Sequence, residues 1–444
     1  MTTYPKCWVS TKLGDIVEYG KTQKCLFSDV SPETWVLELE DIEKDSSRLL
    51  RRVEAKDRPF KSSKNKFNKG DVLYGKLRPY LNKVVISDDD GVCSTEIIPL
   101  NSEPNVSNRF LFYWVKSGNF INYVNEVSYG VNMPRLGTKD GLKAPFVLPS
   151  LAEQKVIAEK LDILLAQVEA TKARLESTLE TLKQFRQSVL AAAVSGKLTD
   201  IDDFKIEPLD KLIEEMRNGL SPKPNEDGLG YPILRISSVR AMEVDTSDVR
   251  YLECDKLTRE RYALKEGDLL FTRYNGSLDF VGVCGLFKGC KYETLLYPDK
   301  LIRVRTNTSK LLPKFAEIYF SSPEIRTLVT NFVKSTSGQK GISGKDLKSV
   351  AVKYPTTDEQ IKIIDIVEKL FAGADATEKQ VNQALERVNN LTQTILAKAF
   401  RGELTEQWRK DNPDLISGDN SAEALLKKIK AERATAKPKR KTKK

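Results

Sequence analysis

The sequence predicts a mixed α/β fold in which two similar α/β units alternate with two long helices, giving an internal two-fold repeat. The first supporting observation is a duplication, because residues 149–199 recur as residues 355–405 with a constant offset of 206 and no gap. Roughly a third of the paired positions are identical, which indicates a true repeat rather than similar composition. The second observation is a helical heptad pattern in both copies, and the third is a series of short strand-like segments before each copy.

In each copy, apolar residues recur alternately four and three residues apart, as in a coiled coil. Gly196 and Gly402 stand where a helix C-cap is expected. Thr171 and Thr377 are polar at equivalent positions of the pattern, either as partly exposed threonines or as residues that set the register. The two series are Ile157, Leu161, Leu164, Val168, Thr171, Leu175, Thr178, Leu182, Phe185 and Val189, and Ile363, Val367, Leu370, Ala374, Thr377, Val381, Ala384, Val388, Leu391 and Ile395.

A lone helix of this kind would leave an apolar stripe in water, so each helix needs a partner. A whole globular unit lies between the two copies, which leaves the chain room to turn back and pair them as an antiparallel coiled coil. About 35 residues with a rise of 1.5 Å each make a rod of roughly 50 Å. We therefore expect a rigid spacer between two similar units.

The repeat divides the chain into five segments: a first unit (1–148), a first spacer helix (149–199), a second unit (200–354), a second spacer helix (355–405) and a basic tail (406–444). The net charge of +10 is mostly local, because the last 22 residues hold ten Lys or Arg and two Glu. The tail is expected to be flexible and to leave regular structure except for a short basic helix near residues 421–434. It is either solvated or a nonspecific arm for DNA or a partner.

In the first unit, residues 70–86 predict a strand, a short basic loop and a second strand. Such a loop can present cations and an aromatic ring to DNA, where Arg bonds guanine edges and Lys or Arg bonds phosphates. The segment 48–69 holds nine basic residues and is either a solvated loop or a phosphate-contacting surface. A Gly-punctuated loop at 129–143 carries one exposed-looking arginine. The DNA-binding candidates of this unit are Lys76, Arg78, Tyr80, Lys83 and Arg135.

The second unit repeats this design at residues 267–285, and its loop at 335–346 corresponds to 129–143 of the first unit. The offset of 206 persists there, since Lys139 maps to Lys345 and Tyr113 maps to Tyr319. The duplication therefore covers a globular unit together with its helix. Asn275 and Gly276 are also consistent with a simple tight turn. The DNA-binding candidates of this unit are Arg235, Arg273, Tyr274, Asn275, Ser277, Lys300, Gln339 and Lys340.

The composition excludes several classes of site. The chain has no histidine, which excludes a Ser-His-Asp triad and every histidine-ligated metal site. Its six cysteines are scattered without a CxxC pair, which favours the reducing cytoplasm over a disulfide framework. No apolar run approaches the ~20 residues of a membrane span, so no membrane partner is expected. We predict no catalytic residues, no metal site and no cofactor in this chain.

These motifs resemble the specificity subunit of type I restriction–modification enzymes, most closely those of the enterobacterial systems. The resemblance spans nearly the whole chain. It rests on PSLAEQKVIAEKLD with SGKLT, PTTDEQIKIIDIVEKL with RGELT, GDVLYGKLRPYLNKV with CSTE, and GDLLFTRYNGS with SGQKGISGKD. It implies that each unit is a target-recognition domain for one half of a split double-stranded DNA site. It also implies that the helices set the spacing and dock two modification subunits.

The same resemblance places the chemistry on partner proteins. The modification subunits would flip an adenine in each half-site and methylate it with S-adenosylmethionine. Restriction subunits would cut unmethylated DNA far from the site using ATP and Mg. The chain agrees, since it holds neither a D/N-P-P-Y/F methyltransferase motif nor a phosphate loop. The alternatives are a stand-alone sequence-specific DNA-binding regulator and a coiled-coil interaction scaffold without a DNA role.

Overall fold

The computed structural model describes residues 4–200, 202–336 and 339–436, and it confirms the predicted fold class. The chain divides into two compact units. The first comprises Met1–Arg174 and Ala384–Lys444, and the second comprises Leu175–Gln383. The division falls inside both long helices, so each unit contains part of each helix.

The first unit contains three small sheets flanked by helices. One sheet has the order β2-β4-β7-β3, with β3 parallel to β7, another has the antiparallel order β6-β5-β8, and β1 pairs with β9. The elements are β1 (Val9–Lys12), α1 (Leu13–Ile16), β2 (Lys24–Cys25), β3 (Trp35–Leu37), β4 (Lys64–Phe67), β5 (Val72–Gly75), β6 (Val84–Ile86), β7 (Gly91–Cys93), β8 (Ile97–Leu100), α2 (Asn108–Val115), α3 (Gly118–Val127), α4 (Thr138–Lys143), β9 (Pro145–Leu148) and α5 (Leu151–Ser195).

The second unit is built around a four-stranded antiparallel sheet of order β11-β19-β16-β18. Its elements are β10 (Lys205–Pro208), β11 (Ile213–Asn218), β12 (Tyr231–Leu234), β13 (Val239–Arg240), β14 (Glu243–Val244), β15 (Val249–Leu252), α6 (Lys256–Tyr262), β16 (Leu269–Thr272), β17 (Tyr274–Asn275), β18 (Cys284–Leu286), β19 (Leu301–Thr306), α7 (Pro313–Ser321), α8 (Pro323–Asn331), β20 (Lys334–Thr336), β21 (Gln339–Gly341), α9 (Gly344–Lys348), β22 (Ala351–Tyr354) and α10 (Thr357–Phe400).

The repeat is visible at the point where each unit meets its helix. In the first unit β1 pairs with β9, and in the second unit β10 pairs with β22, both antiparallel. The strand that leads into each long helix is thus fixed to the first strand of its own unit. Leu148 and Tyr354 occupy equivalent ends of these pairs, at the offset of 206.

The aromatic stretch 110–124 lies in the core of the first unit. Phe110, Trp114 and Phe120 are fully buried. The chain breaks within this stretch, between α2 and α3. The side chain of Ser117 accepts a hydrogen bond from the amide of Phe120 and starts a new helix there.

The long helices run antiparallel within each unit. In the first unit the start of α5 lies against the end of α10, where Lys160 Nζ donates to the carbonyl of Leu404 at 2.7 Å. In the second unit the later part of α5 lies against the early part of α10, where Arg186 bonds Asp375 and Glu378 at 2.6 and 2.7 Å. The helices are 45 and 44 residues long, which exceeds the expected 35.

The heptad positions are mostly buried or half-buried, with exceptions at the polar positions and at one apolar pair. Thr171 and Thr377 are exposed, and each hydroxyl donates to the carbonyl four residues earlier. These contacts favour the interpretation as exposed threonines. Phe185 and Leu391, again 206 residues apart, are exposed as well. Gly196 and Gly402 follow the helix ends with φ of +91° and +77°, as C-caps require.

The expectation that the tail leaves regular structure was wrong for residues 406–420, which form α11 (Glu406–Asp411) and two short 3₁₀ turns. The short basic helix expected near residues 421–434 is present as α12 (Ala422–Ala436). Ile429 is buried in the core of the first unit, and Arg433 Nη1 donates to the carbonyl of Gly14 at 2.7 Å. The remainder of the predicted tail, residues 437–444, lies outside the described residues. Within the described ranges, no helix is long and apolar enough to cross a membrane.

Candidate nucleic-acid interface

Two loops of the first unit meet at one end of the β5–β8 pair. The first, which we call the sheet-end loop, comprises residues 76–83 and follows β5. The second, the companion loop, comprises residues 129–137. The amide of Leu136 donates to the carbonyl of Lys76 at 3.0 Å, and the amide of Arg78 donates to the carbonyl of Pro134 at 2.7 Å. The structure thus brings together the two segments that the sequence singled out separately.

Three of the predicted DNA-binding side chains in the first unit are available to a ligand. Arg78 and Tyr80 are exposed, and Lys76 is partly exposed. Within the described residues, none of the three side chains makes a hydrogen bond or an ion pair. Two cations and one ring therefore project from the sheet-end loop without competing protein partners.

The other two predicted side chains of this unit have partners within the protein. Lys83 Nζ donates to the carbonyl of Leu39 at 2.7 Å, so this cation ties two loops together. Arg135 Nε lies 3.2 Å from a carboxylate oxygen of Glu96. A phosphate or base would have to compete with these partners, which makes Lys83 and Arg135 weaker candidates than Arg78.

The second unit repeats the loop pairing with the same backbone geometry. Its sheet-end loop comprises residues 273–280 and follows β16, and its companion loop comprises the described residues 334–336 and 339–342. The amide of Ile342 donates to the carbonyl of Arg273 at 3.0 Å. Ile342 is 206 residues after Leu136, and Tyr274 pairs with Gly341 as Leu77 pairs with Arg135.

Three predicted residues of the second unit form one cluster. The guanidinium carbon of Arg273 lies 4.7 Å from the ring centre of Tyr274, and Lys300 Nζ lies 5.3 Å from the same centre. The amide of Arg273 also donates to the carbonyl of Lys300 at 2.7 Å. Two cations beside one aromatic ring can bind phosphate and stack on a base at the same place.

The other predicted residues of the second unit bond protein partners or lie beside the sheet-end loop. Asn275 accepts a hydrogen bond from the amide of Ser277 at 3.0 Å, so its side chain stabilises a local turn. Arg235 is ion-paired with Asp248. Gln339 and Lys340 lie on β21, and the backbone of Lys340 pairs with Asn275. This pairing places the residues of β21 next to the sheet-end loop.

Most of the basic segment 48–69 does not form a free phosphate-binding surface. Six of its nine cations pair with carboxylates of the first unit: Arg48, Arg51, Arg52, Lys56, Arg58 and Lys64. The buried carboxylate of Asp41 accepts from both Arg51 and Arg58, and hydrogen bonds from these arginines outweigh burial and lower its pKa. The charge excess is thus largely neutralised by acidic residues, and for Arg52, Arg58 and Lys64 these lie outside the segment and 17 or more positions away.

The long helices carry two structural contacts that the sequence analysis missed. The Gln154 side chain donates to the carbonyl of Pro149 and accepts from the amide of Ser107, at the start of α2. The equivalent Gln360 donates to the carbonyl of Pro355 and accepts from the amide of Leu312, at the start of α7. The repeated Glu-Gln pair was the available signal. Each glutamine ties its helix to the globular unit that precedes it.

A second contact, around Glu153, lies in the first unit. Glu153 is fully buried and accepts hydrogen bonds from Trp8 Nε1 at 2.8 Å, Thr405 Oγ1 at 2.7 Å and Arg409 Nη1 at 2.6 Å. We call these four residues the Glu153 clasp. It joins the N-terminal segment, the start of α5 and the segment after α10. Among the described residues, no group of His, Cys, Asp and Glu side chains could hold a metal ion.

The comparisons with known proteins agree with this architecture. The family described as "Type I restriction modification DNA specificity domain" matches residues 5–181 and 202–387. The chain is 56% identical over 347 residues to the type I restriction enzyme EcoKI specificity subunit of Escherichia coli (strain K12), which covers 76% of this chain and 74% of that protein. It is 42% identical over 346 residues to the StySPI specificity subunit of Salmonella potsdam, covering 76% of this chain and 74% of that protein.

Two solved structures share the fold. A chain from a type I R-M system superposes with a TM-score of 0.74 at 19% identity, covering 90% of this chain and 99% of the other. The HsdS subunit of Thermoanaerobacter tengcongensis superposes with a TM-score of 0.55 at 18% identity, covering 90% of this chain and 98% of the other. At these identities the likeness concerns the fold alone.

Proposed function

The chain belongs to the family of DNA specificity subunits of type I restriction–modification enzymes, and from this premise we propose that it supplies the sequence specificity of such a complex. Each unit reads one half of a bipartite site in double-stranded DNA. The observation that carries the proposal is the loop pairing found in both units. The same backbone hydrogen bond, from Leu136 to Lys76 and from Ile342 to Arg273, holds two loops together at a sheet end.

The chemistry of these loops suits DNA. In the first unit, the side chains of Lys76, Arg78 and Tyr80 have no protein partner among the described residues. In the second unit, Arg273 and Lys300 flank the ring of Tyr274. Cations without carboxylate partners release counterions when they bind phosphates, which supplies affinity, and arginine can also bond base edges, which supplies specificity.

The helices set the distance between half-sites and dock two modification subunits. Support comes from Phe185 and Leu391, which are exposed apolar residues at equivalent positions of α5 and α10. Large apolar side chains at two positions related by the internal repeat fit two copies of the same partner. A stand-alone regulator would gain nothing from such exposure, so this observation favours a subunit of a larger complex.

The chain itself is non-catalytic and carries no cofactor. Its modification partners supply methyl transfer to adenine from S-adenosylmethionine, and its restriction partners supply ATP- and Mg-dependent cleavage. We place the complex in the cytoplasm, in keeping with six free cysteines that form no disulfide among the described residues.

The test is an exchange of one recognition unit. Residues 1–148 are replaced by the corresponding unit of a relative with a different site, and methylated adenines are mapped in cells that also contain the modification subunits. We expect one half of the methylated site to change while the other half and the spacing persist. A change in both halves, or methylation without a bipartite sequence, would contradict the proposal.

A further inference from the structure

A short ribbon projects from the companion loop of the first unit. Tyr129 and Arg135 form an antiparallel pair, with the amide of Arg135 donating to the carbonyl of Tyr129 at 2.9 Å and the reverse bond at 3.3 Å. The turn between them needs glycine at position 130, where φ is +110° and an added Cβ would lie 3.0 Å from the carbonyl oxygen of Met133. Residues 129–135 thus form a short loop closed by a single β-bridge, and we call this loop the ribbon.

The base of the ribbon is fixed and its tip is free. Backbone hydrogen bonds join Pro134 and Leu136 to the sheet-end loop, as described above. At the tip, Val131 is 100% exposed, Met133 is 44% exposed and Asn132 is exposed as well. The Asn132 side chain makes no hydrogen bond within the described residues. A fixed base thus presents Val131 and Asn132 to solvent, with Met133 partly covered beside them.

The chemistry of the tip matches one base pair in DNA. The major groove is about 12 Å wide and admits two paired strands, so it has room for the two chain segments that this β-bridge joins. An asparagine amide can donate to N7 and accept from N6 of adenine in a bidentate contact only if its nitrogen and oxygen are both free, and apolar side chains contact the methyl group of thymine. The unpaired cations Lys76 and Arg78 adjoin the ribbon base and suit the phosphates beside the groove. These neighbouring charges favour nucleic acid over a protein surface as the occupant.

We propose that Asn132 reads an adenine–thymine pair in the half-site bound by the first unit, with Val131 and Met133 against the methyl group of that thymine. This inference rests on the proposed function and assigns one base pair of the site to a residue outside the predicted set. The second unit offers no comparison here, because the equivalent residues include positions outside the described ranges.

The experiment uses the full chain assembled with its modification subunits and a library of randomised duplexes. For Asn132→Ala, we expect preference at a single adenine–thymine position of the first half-site to fall on the order of 10- to 100-fold, with the second half-site unchanged. The matched control is Asn68→Ala. Asn68 is also exposed, its side chain makes no hydrogen bond in the described structure, and it precedes the opposite end of β5.

A second measurement tests the apolar contacts separately. Uracil replaces thymine at the position that Asn132→Ala relaxes, which removes only the methyl group. The wild-type complex should bind the uracil duplex several-fold more weakly, whereas the double variant Val131→Ser/Met133→Ser should bind both duplexes equally.

The outcomes separate the inference from the proposed function. A wild-type complex that selects no bipartite sequence would overturn both. If the wild-type complex selects a bipartite site and the Asn132→Ala variant keeps every base preference, only the reading by Asn132 is overturned. Equal weakening on all sequences would also overturn it, because that is the result expected for a phosphate contact.

Discussion

Arg78 illustrates how single residues shape the proposed DNA surface. Its backbone is held in the left-handed region with φ of +49°, which costs a non-glycine residue free energy. Two backbone hydrogen bonds hold it there, one from its amide to Pro134 and one from the amide of Leu81 to its carbonyl. The side chain is therefore presented outward by a strained but well-fixed loop, as is common at binding sites.

Lys116 is a buried cation whose surroundings make a pH effect testable. The residue is 5% exposed, its Nζ donates to the hydroxyl of Ser47, and the same atom lies 4.9 Å from the ring centre of Phe112. Burial lowers its pKa from 10.5 to about 8, although the nearby carboxylates of Glu169 and Asp45 oppose the shift. Between these two pKa values the folded chain has released this proton and the unfolded chain still holds it.

The sign of the effect follows from this difference in bound protons. The contribution of Lys116 to the free energy of unfolding should rise as pH increases from about 8 to 10.5, by at most roughly 1.4 kcal/mol per pH unit. Lys116→Met removes the titrating group, so the difference in stability between wild type and variant should change over this range and stay constant below it. Urea unfolding at several pH values measures this, and parallel profiles above pH 8 would contradict it.

Local sequence patterns predicted the long helices and their ends, because these depend on residues that are close together in the chain. Heptad spacing predicted both long helices. A single glycine after each helix, Gly196 or Gly402, predicted where the helix ends. The partners of individual cations were not predictable, because Glu96 and the carbonyl of Leu39 reach Arg135 and Lys83 only through the fold. The helix near residues 421–434 was predicted, but its docking was missed for the same reason, since Ile429 packs against a core formed by distant segments.

The Glu153 clasp provides a prediction for the segment after α10. Arg409→Met leaves the buried carboxylate of Glu153 without its counter-charge, so we expect the first unit to lose about 3–5 kcal/mol of unfolding free energy. The matched control is Lys410→Met. Lys410 pairs with Glu406 on the surface at 2.8 Å, and such a pair contributes at most about 1 kcal/mol.

Thermal or urea unfolding, followed by signals from the first unit, compares the two variants. Replacing Glu153 as well, in Glu153→Gln/Arg409→Met, should recover part of the loss because no buried charge remains. Equal stability of the Arg409 and Lys410 variants would show that the segment after α10 does not hold the first unit together.

For the whole molecule, the proposed spacing role links helix length to the DNA between the half-sites. One heptad added to both α5 and α10 lengthens each helix by roughly 10.5 Å, which corresponds to about 3 base pairs. We expect the gap between the two methylated half-sites to grow by that amount while the bases read stay the same. Mapping methylated sites measures both quantities. An unchanged gap would contradict a spacing role, and a heptad in one helix alone serves as the mismatched control.

Gln154 and Gln360 bond main-chain amides and carbonyls rather than side chains. Every folded polypeptide of this topology offers those same groups, whatever its side chains are. A recombination event that imports a foreign unit therefore keeps these two glutamine contacts, whereas a new first unit must also supply the Trp8 donor of the Glu153 clasp. Descendants of this chain could acquire new DNA targets by exchanging whole modules, most readily at the junction that only main-chain groups of the incoming unit complete.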